Sequence, residues 1–210
     1  MYFGDDLAAW HHLRWPQFAA MERPSEVLVV QPVYSFCDWN EDLPLNSEEV
    51  IGSWVLRECL REIAGKVHLL VLPPFRFTPR QSPGARFHLE TEIAHQILEE
   101  TILSASDSGF RNFILWNSNP WLEDWVDAVA RDLRVAFDLR LYCLQLAGFG
   151  FDMRFLGEDN EPLAMLLKAL VAGESERVES GLAREGICQL ARALEEIDTA
   201  VEESGKILKK

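Results

Sequence analysis

Paired cysteines, long apolar runs and a surplus of basic residues are all missing from this chain, and each absence removes a class of protein. The four cysteines, Cys37, Cys59, Cys143 and Cys188, stand far apart with no Cys-x-x-Cys spacing. Neither a zinc ribbon nor a redox dithiol is therefore indicated, and free thiols in a reducing cytoplasm are expected. No apolar run approaches the roughly 18 residues that a membrane helix needs, and no charged-then-apolar leader opens the sequence. Acids outnumber bases by 34 to 20, for a formal charge of -14, which disfavours nucleic acid, because phosphates require a basic face. The adjacent His11 and His12 would point about 100° apart on a helix, so they cannot chelate one ion together. No internal repeat or low-complexity segment stands out.

What is present suits one globular body. The 210 residues are 48% apolar and 26% charged, enough for a sizeable core and too apolar for wholesale disorder. Residues 1–25 are rich in aromatics and read as an opening helix and loop broken at Trp15-Pro16. Glu26–Pro32 is a continuous apolar run, the pattern of a strand buried on both faces of a parallel sheet. Asn46 or Ser47 then caps a helix, with Glu49 completing a capping box, and the helix runs to about Ala64 before Gly65. Val67–Leu72 reads as a second buried strand, stopped by Pro73 and Pro74. A loop rich in Arg, Pro and Gly leads into an amphipathic helix over His88–Ser108, with Ile93, Ile97 and Ile102 on its apolar side.

Phe113–Trp116 reads as the third strand. Asn119 is placed as a helix N-cap and Pro120 as the first helical residue, for a helix reaching Asp132. Val135–Gln145 reads as a fourth strand and Gly148–Asp159 as loop. Asn160 caps a helix through Ala172, and a last helix runs from about Ser175 to Ser204. Ile187, Leu190, Leu194, Ile197 and Val201 form a short seam on it, for packing on the chain's own body or on another subunit. The fold class is α/β, a mostly parallel sheet flanked by helices, with a C-terminal helical extension. Residues 1–159 form the α/β domain, and 160–210 a helical segment packed on it or on a partner. Strand–helix alternation of this kind binds ligands at the C-terminal strand ends, here the loops starting at Tyr34, Pro73 and Asn117.

Those loops carry a family resemblance. Pro32-Val33-Tyr34-Ser35-Phe36-Cys37-Asp38-Trp39-Asn40-Glu41-Asp42-Leu43-Pro44-Leu45-Asn46-Ser47-Glu48 resembles the Pro-Val-Gly-Ser-x-Glu-x-His-Gly-x-His-Leu-Pro-Leu-x-Thr-Asp signature of the creatininase (creatinine amidohydrolase) family. Leu13-Arg14-Trp15-Pro16 is similar to that family's Thr-Trp-Pro opening, Leu72-Pro73-Pro74 to its Leu-Pro-Pro, and Ser82-Pro83-Gly84-Ala85 to its Phe-Pro-Gly-Thr. Gly109-Phe110 matches its Gly-Phe, and Asn117–Leu122 falls on its Asn-Gly-His-Gly-Gly-Asn turn. The resemblance spans residues 13–148 and implies a creatininase-like fold. It also implies a divalent zinc or manganese pair that activates water to open a cyclic or linear amide, and a ring-like oligomer.

The metal-site letters differ. The family's Glu and His fall on Cys37 and Trp39, its bridging Asp on Glu48, its turn His on Asn119, and the position two residues later on Trp121. The loop between Pro74 and Pro83 is shorter, which removes the family's Ser-x-x-His element. Indole offers only a donor, so Trp39 and Trp121 cannot ligate, and Asn119 is a poor zinc ligand. The expectation is a degenerate site without a metal cofactor or catalytic residues, its pocket formed at Cys37, Trp39, Glu48, Asn119 and Trp121, with Asp38, Asp42, Asn117, Arg80 and His88 as neighbours. Trp39, Trp116 and Trp121 either stack on a flat ligand or fill the emptied pocket, and filling removes the need to bury charge. Arg76, Arg80 and Arg86 are either a cationic mouth or solvated loop residues. Cys37 is a buried structural thiol or, paired with His88, a nucleophile.

The functional expectation is a cytoplasmic, non-catalytic binding or assembly subunit, a homo-oligomer or the partner of a paralogue, with no nucleic acid or membrane. A small molecule remains open as a ligand. The alternative is a divergent amidohydrolase with a site rebuilt around Cys37, Asp38, Glu48 and Asn119.

Overall fold

The computed structural model describes residues 9–63, 65–81, 83–156, 160–174 and 181–207. Four strands form one parallel sheet: β1 (Leu28–Val33), then, after the two-residue strand β2 (Phe36–Cys37), β3 (Leu69–Val71), β5 (Asn112–Asn117) and β6 (Arg140–Gln145), in the spatial order β3-β1-β5-β6. Every residue of β1 and β5 is buried, as continuous apolar strands in the middle of a covered sheet should be. β2 pairs antiparallel with β4 (Ala85–Phe87) in a separate small sheet. At two and three residues these strands are too short to leave a periodic signal, and the sequence reads both as loop.

Among the described residues six α-helices surround the sheet: α1 (Trp15–Ala19), α2 (Ser47–Ile63), α3 (Thr91–Asp107), α4 (Glu123–Phe137), α5 (Glu161–Val171) and α6 (Gly181–Ile207). One face of the sheet packs on α2, α5 and α6 through residues such as Val30, Trp116, Leu56, Leu167 and Leu194. The other packs on α3 and α4 through Val29, Phe113, Leu98, Ile102 and Val129. The chain leaves β1 towards β3 over one face and returns to β5 over the other. The crevice at the C-terminal ends of β1 and β5 is therefore a topological switch point, the usual ligand position in such sheets.

Several expectations are corrected. Pro16 sits in the first turn of α1 rather than breaking a helix, where its missing N–H costs nothing. Asn119 is not an N-cap: α4 begins at Glu123 after Leu122, and Asn119 closes a turn by accepting the Trp121 amide at 2.8 Å. Val135–Phe137 end α4 instead of starting the fourth strand, and Asp138, left-handed at φ 53°, ends the helix. On α3 the buried residues are Ala94, Leu98, Ile102 and Ala105, while Ile93 and Ile97 face outward. The C-terminal seam packs inward: Leu190, Leu194 and Val201 are buried in the core, with Ile187 and Ile197 against it. The expected helix end at Ala64, the loop at 157–159 and the helix start at Ser175 lie outside the described residues.

Candidate functional site

The site begins with one carboxylate. Glu48 stands in the first turn of α2 and is fully buried, which brings its side chain against the C-terminal ends of β1 and β5. Ser35, two residues past β1, donates its backbone N–H to Glu48 Oε2 at 2.7 Å and its hydroxyl to Oε1 at 2.7 Å. The Trp39 indole N–H and the Asn119 side-chain amide each donate to Oε1 at 3.0 Å. Cys37 Sγ lies 3.0 Å from Ser35 Oγ and 3.7 Å from Asn119 Nδ2. Burial raises the Glu48 carboxyl above its ordinary value, while the donors from Ser35, Cys37 and Trp39 oppose that rise.

The surrounding elements hold this node closed. The β2–β4 sheet carries Cys37, and the Asp38 N–H donates to the Gly84 carbonyl at 2.8 Å. A Cβ on Gly84 would come 2.4 Å from the Asp38 carbonyl oxygen, so only glycine permits this approach. Asn117, the last residue of β5, accepts the Asn119 N–H at 3.1 Å and donates to the Asn119 carbonyl at 2.8 Å. Ser118 donates to the Glu48 backbone carbonyl at 3.0 Å. Arg76 grips Glu49 through Nε at 2.7 Å and Nη2 at 2.5 Å, which ties the segment after β3 to the start of α2.

Of the expected pocket residues, Cys37, Trp39, Glu48 and Asn119 come together, with Asn117 bracing the turn behind them. Trp121 does not join them with its ring, which is 42% exposed under the Arg154 guanidinium at 6.0 Å; only its backbone N–H reaches Asn119. Trp116 is wholly buried and donates to the Gly52 carbonyl at 3.1 Å, a core residue rather than a stacking surface. Asp38 pairs with Arg86 at 2.6 Å and Asp42 with Lys168 at 3.4 Å, both at the surface. Arg80 and His88 are exposed, so His88 lies outside while Cys37 lies inside. Two of the three loop arginines, Arg76 and Arg86, are neutralised by Glu49 and Asp38. Sequence reasoning left out Ser35, whose signal was its place in the first signature, and Arg154, for which there was none.

A family model described as creatinine amidohydrolase matches residues 11–183. The chain belongs to the creatininase family. No curated protein matches it in sequence. Among solved structures, a mutant creatininase of the Zn-Zn type aligns at 15% identity, with 90% of this chain and 97% of that one covered and a TM-score of 0.65. A protein of Bacteroides fragilis NCTC 9343, provisionally assigned as a creatinine amidohydrolase, aligns at 13% identity over 91% and 96% of the two chains, with a TM-score of 0.62. A mutant creatininase complexed with creatine aligns at 17% identity over 71% of this chain and 62% of its own, with a TM-score of 0.52; this chain thus spans about three fifths of that protein's length. At such identities these likenesses concern the fold.

The creatininase signature positions can be tested against the metal pair that the family implies. A carboxylate offers about four lone-pair directions; at Glu48, Oε1 is crowded by the Ser35 Oγ–H, the Trp39 indole N–H and the Asn119 amide, and Oε2 accepts the Ser35 N–H. The Trp39 and Asn119 N–H groups both point at Oε1, and neither group can turn a lone pair of nitrogen toward a metal. Among the described residues, no three His, Cys, Asp or Glu side chains gather into a ligand group. The residues present do not fit a dinuclear centre.

Proposed function

We propose that this chain is a creatininase-family protein whose metal site has become a structural hydrogen-bond node, and that it works as a non-catalytic binding or assembly subunit. The observation that carries the reading is the occupancy of both Glu48 oxygens by donors fixed in the fold. Metal-assisted amide cleavage needs open coordination positions facing a substrate. A buried carboxylate ringed by N–H and O–H donors presents no such position to a substrate, and Cys37 is too buried to meet a carbonyl. The node instead fixes the shape of the loop between β1 and α2, and with it the surface around the switch point. Half-exposed Phe77, Phe87, Trp121 and Phe155 supply the apolar area on which association depends. The partner class is another copy of this chain or a catalytically competent relative of the same fold.

The test is an activity screen on the full chain with creatinine and other small cyclic and linear amides, with zinc or manganese supplied. The expected result is no turnover above buffer for any of them. Hydrolysis that disappears in Glu48→Gln or Cys37→Ser would replace this reading with that of a divergent amidohydrolase built around those residues.

A further inference from the structure

Helices α2 and α6 lie against each other, and each carries a cysteine at the contact. Cys59 of α2 is fully buried, and its thiol sits 3.6 Å from the backbone carbonyl of Ile187 on α6. The next residue is Cys188, half-buried, and both cysteines are free. Standard peptide geometry puts the Cys188 Cα within about 3 Å of that carbonyl oxygen. The Cys59 sulfur therefore faces the turn of α6 from which Cys188 projects. Burial pushes the Cys59 thiol up to about 12, and Cys188 is the next largest influence on it.

We propose that Cys59 and Cys188 form a reversible disulfide under oxidising conditions, a modification site that fastens the C-terminal helix to the body of the chain. The proposal goes beyond the functional reading above and does not depend on it. With a peroxide as oxidant, the more accessible Cys188 thiolate attacks one peroxide oxygen. The O–O bond breaks, hydroxide leaves and takes up a proton to become water, and Cys188 becomes a sulfenic acid. The Cys59 sulfur then attacks the Cys188 sulfur; the S–OH bond breaks and the hydroxyl leaves with the Cys59 proton as water. Two thiols and one hydrogen peroxide thus give one disulfide and two waters, with two electrons passing from sulfur to oxygen. Held protonated and out of solvent, Cys59 is a poor target for oxidant on its own, and it reacts through its neighbour. The loop closed between residues 59 and 188 covers most of the chain, so the cross-link strongly restricts the unfolded state.

The experiment treats reduced full-length protein with hydrogen peroxide, caps remaining thiols, digests without reductant and reads linked peptides by mass spectrometry, with a melting curve on the same sample. The expected result is a Cys59–Cys188 peptide pair and a melting temperature raised by about 5–10 °C, both reversed by dithiothreitol. Both effects are lost in Cys188→Ser and kept in Cys143→Ser. Conversion of Cys188 to sulfinic or sulfonic acid with no linked pair overturns the proposal. Links only between chains, or a linked pair that forms only in urea, do so equally.

Discussion

Glu48→Ala would remove at one stroke the acceptor for the Ser35 amide, the Trp39 indole and the Asn119 side chain, all of which reach into a buried site. Stranded donors cost their full desolvation, so a loss of about 3–5 kcal/mol is expected in urea unfolding. Glu48→Gln keeps one acceptor oxygen but sets an NH2 against donors, and about 2 kcal/mol is expected to be lost. The carboxyl also makes a pH prediction. Its folded value is raised by burial, so the folded chain holds that proton more tightly than the unfolded chain. The resulting stabilisation is fully present below the ordinary carboxylate value and is lost as pH rises through the raised one. The stability of the wild type relative to Glu48→Gln should therefore fall with rising pH in that window, by at most about 1.4 kcal/mol per unit. A flat or rising difference would contradict the assignment. At this scale the sequence was partly legible. The resemblance placed Cys37, Trp39, Glu48 and Asn119 on one site, and the chain's folding joins them. It could not foresee that Trp121 contributes its amide rather than its ring, because turn geometry decides which group points inward.

The elements that frame the node divide by length. β1, β3 and β5 announce themselves as apolar runs, α2 by its capping residues and the glycine after it, and α3 as an amphipathic stretch. β2 and β4 exist only because the chain between β1 and α2 meets the chain after β3, a tertiary event with no local signature. Their contact depends on Gly84, where a methyl group would strike the Asp38 carbonyl. Gly84→Ala should cost about 1–3 kcal/mol and speed hydrogen exchange at the Asp38 amide, which bonds the Gly84 carbonyl. Unchanged exchange at that amide would show that the small sheet tolerates the methyl. The misplaced boundary between α4 and β6 has a local cause. Val135, Phe137 and Leu139 alternate as a strand would, yet Val135 is 83% exposed at the end of a helix, and the true break is the left-handed Asp138.

Across the whole molecule, the sheet has two covered faces, and one of them is completed by the C-terminal helices. Leu163, Leu167, Leu170, Leu190 and Leu194 share a core with β1 and α2. A chain ending at residue 156 would bare that face, so it should lose its cooperative thermal transition and bind a hydrophobic dye. A sharp transition in the shortened chain would make α5 and α6 an appendage instead. Among the described residues no helix is long and apolar enough to cross a membrane. The seam on α6 was legible as a periodic apolar stripe, but its direction was not, since a stripe packs equally well on the chain's own body or on a neighbour's. On the function proposed above, this creatininase fold has exchanged its metal pair for a hydrogen-bond node at Glu48. The most direct test of that exchange is elemental mass spectrometry on untagged protein, purified without chelator, equilibrated with excess zinc or manganese and then dialysed. Well under one ion per chain is expected, unchanged in Glu48→Gln. Stoichiometric metal that is lost on mutating Glu48 and Cys37 would contradict it.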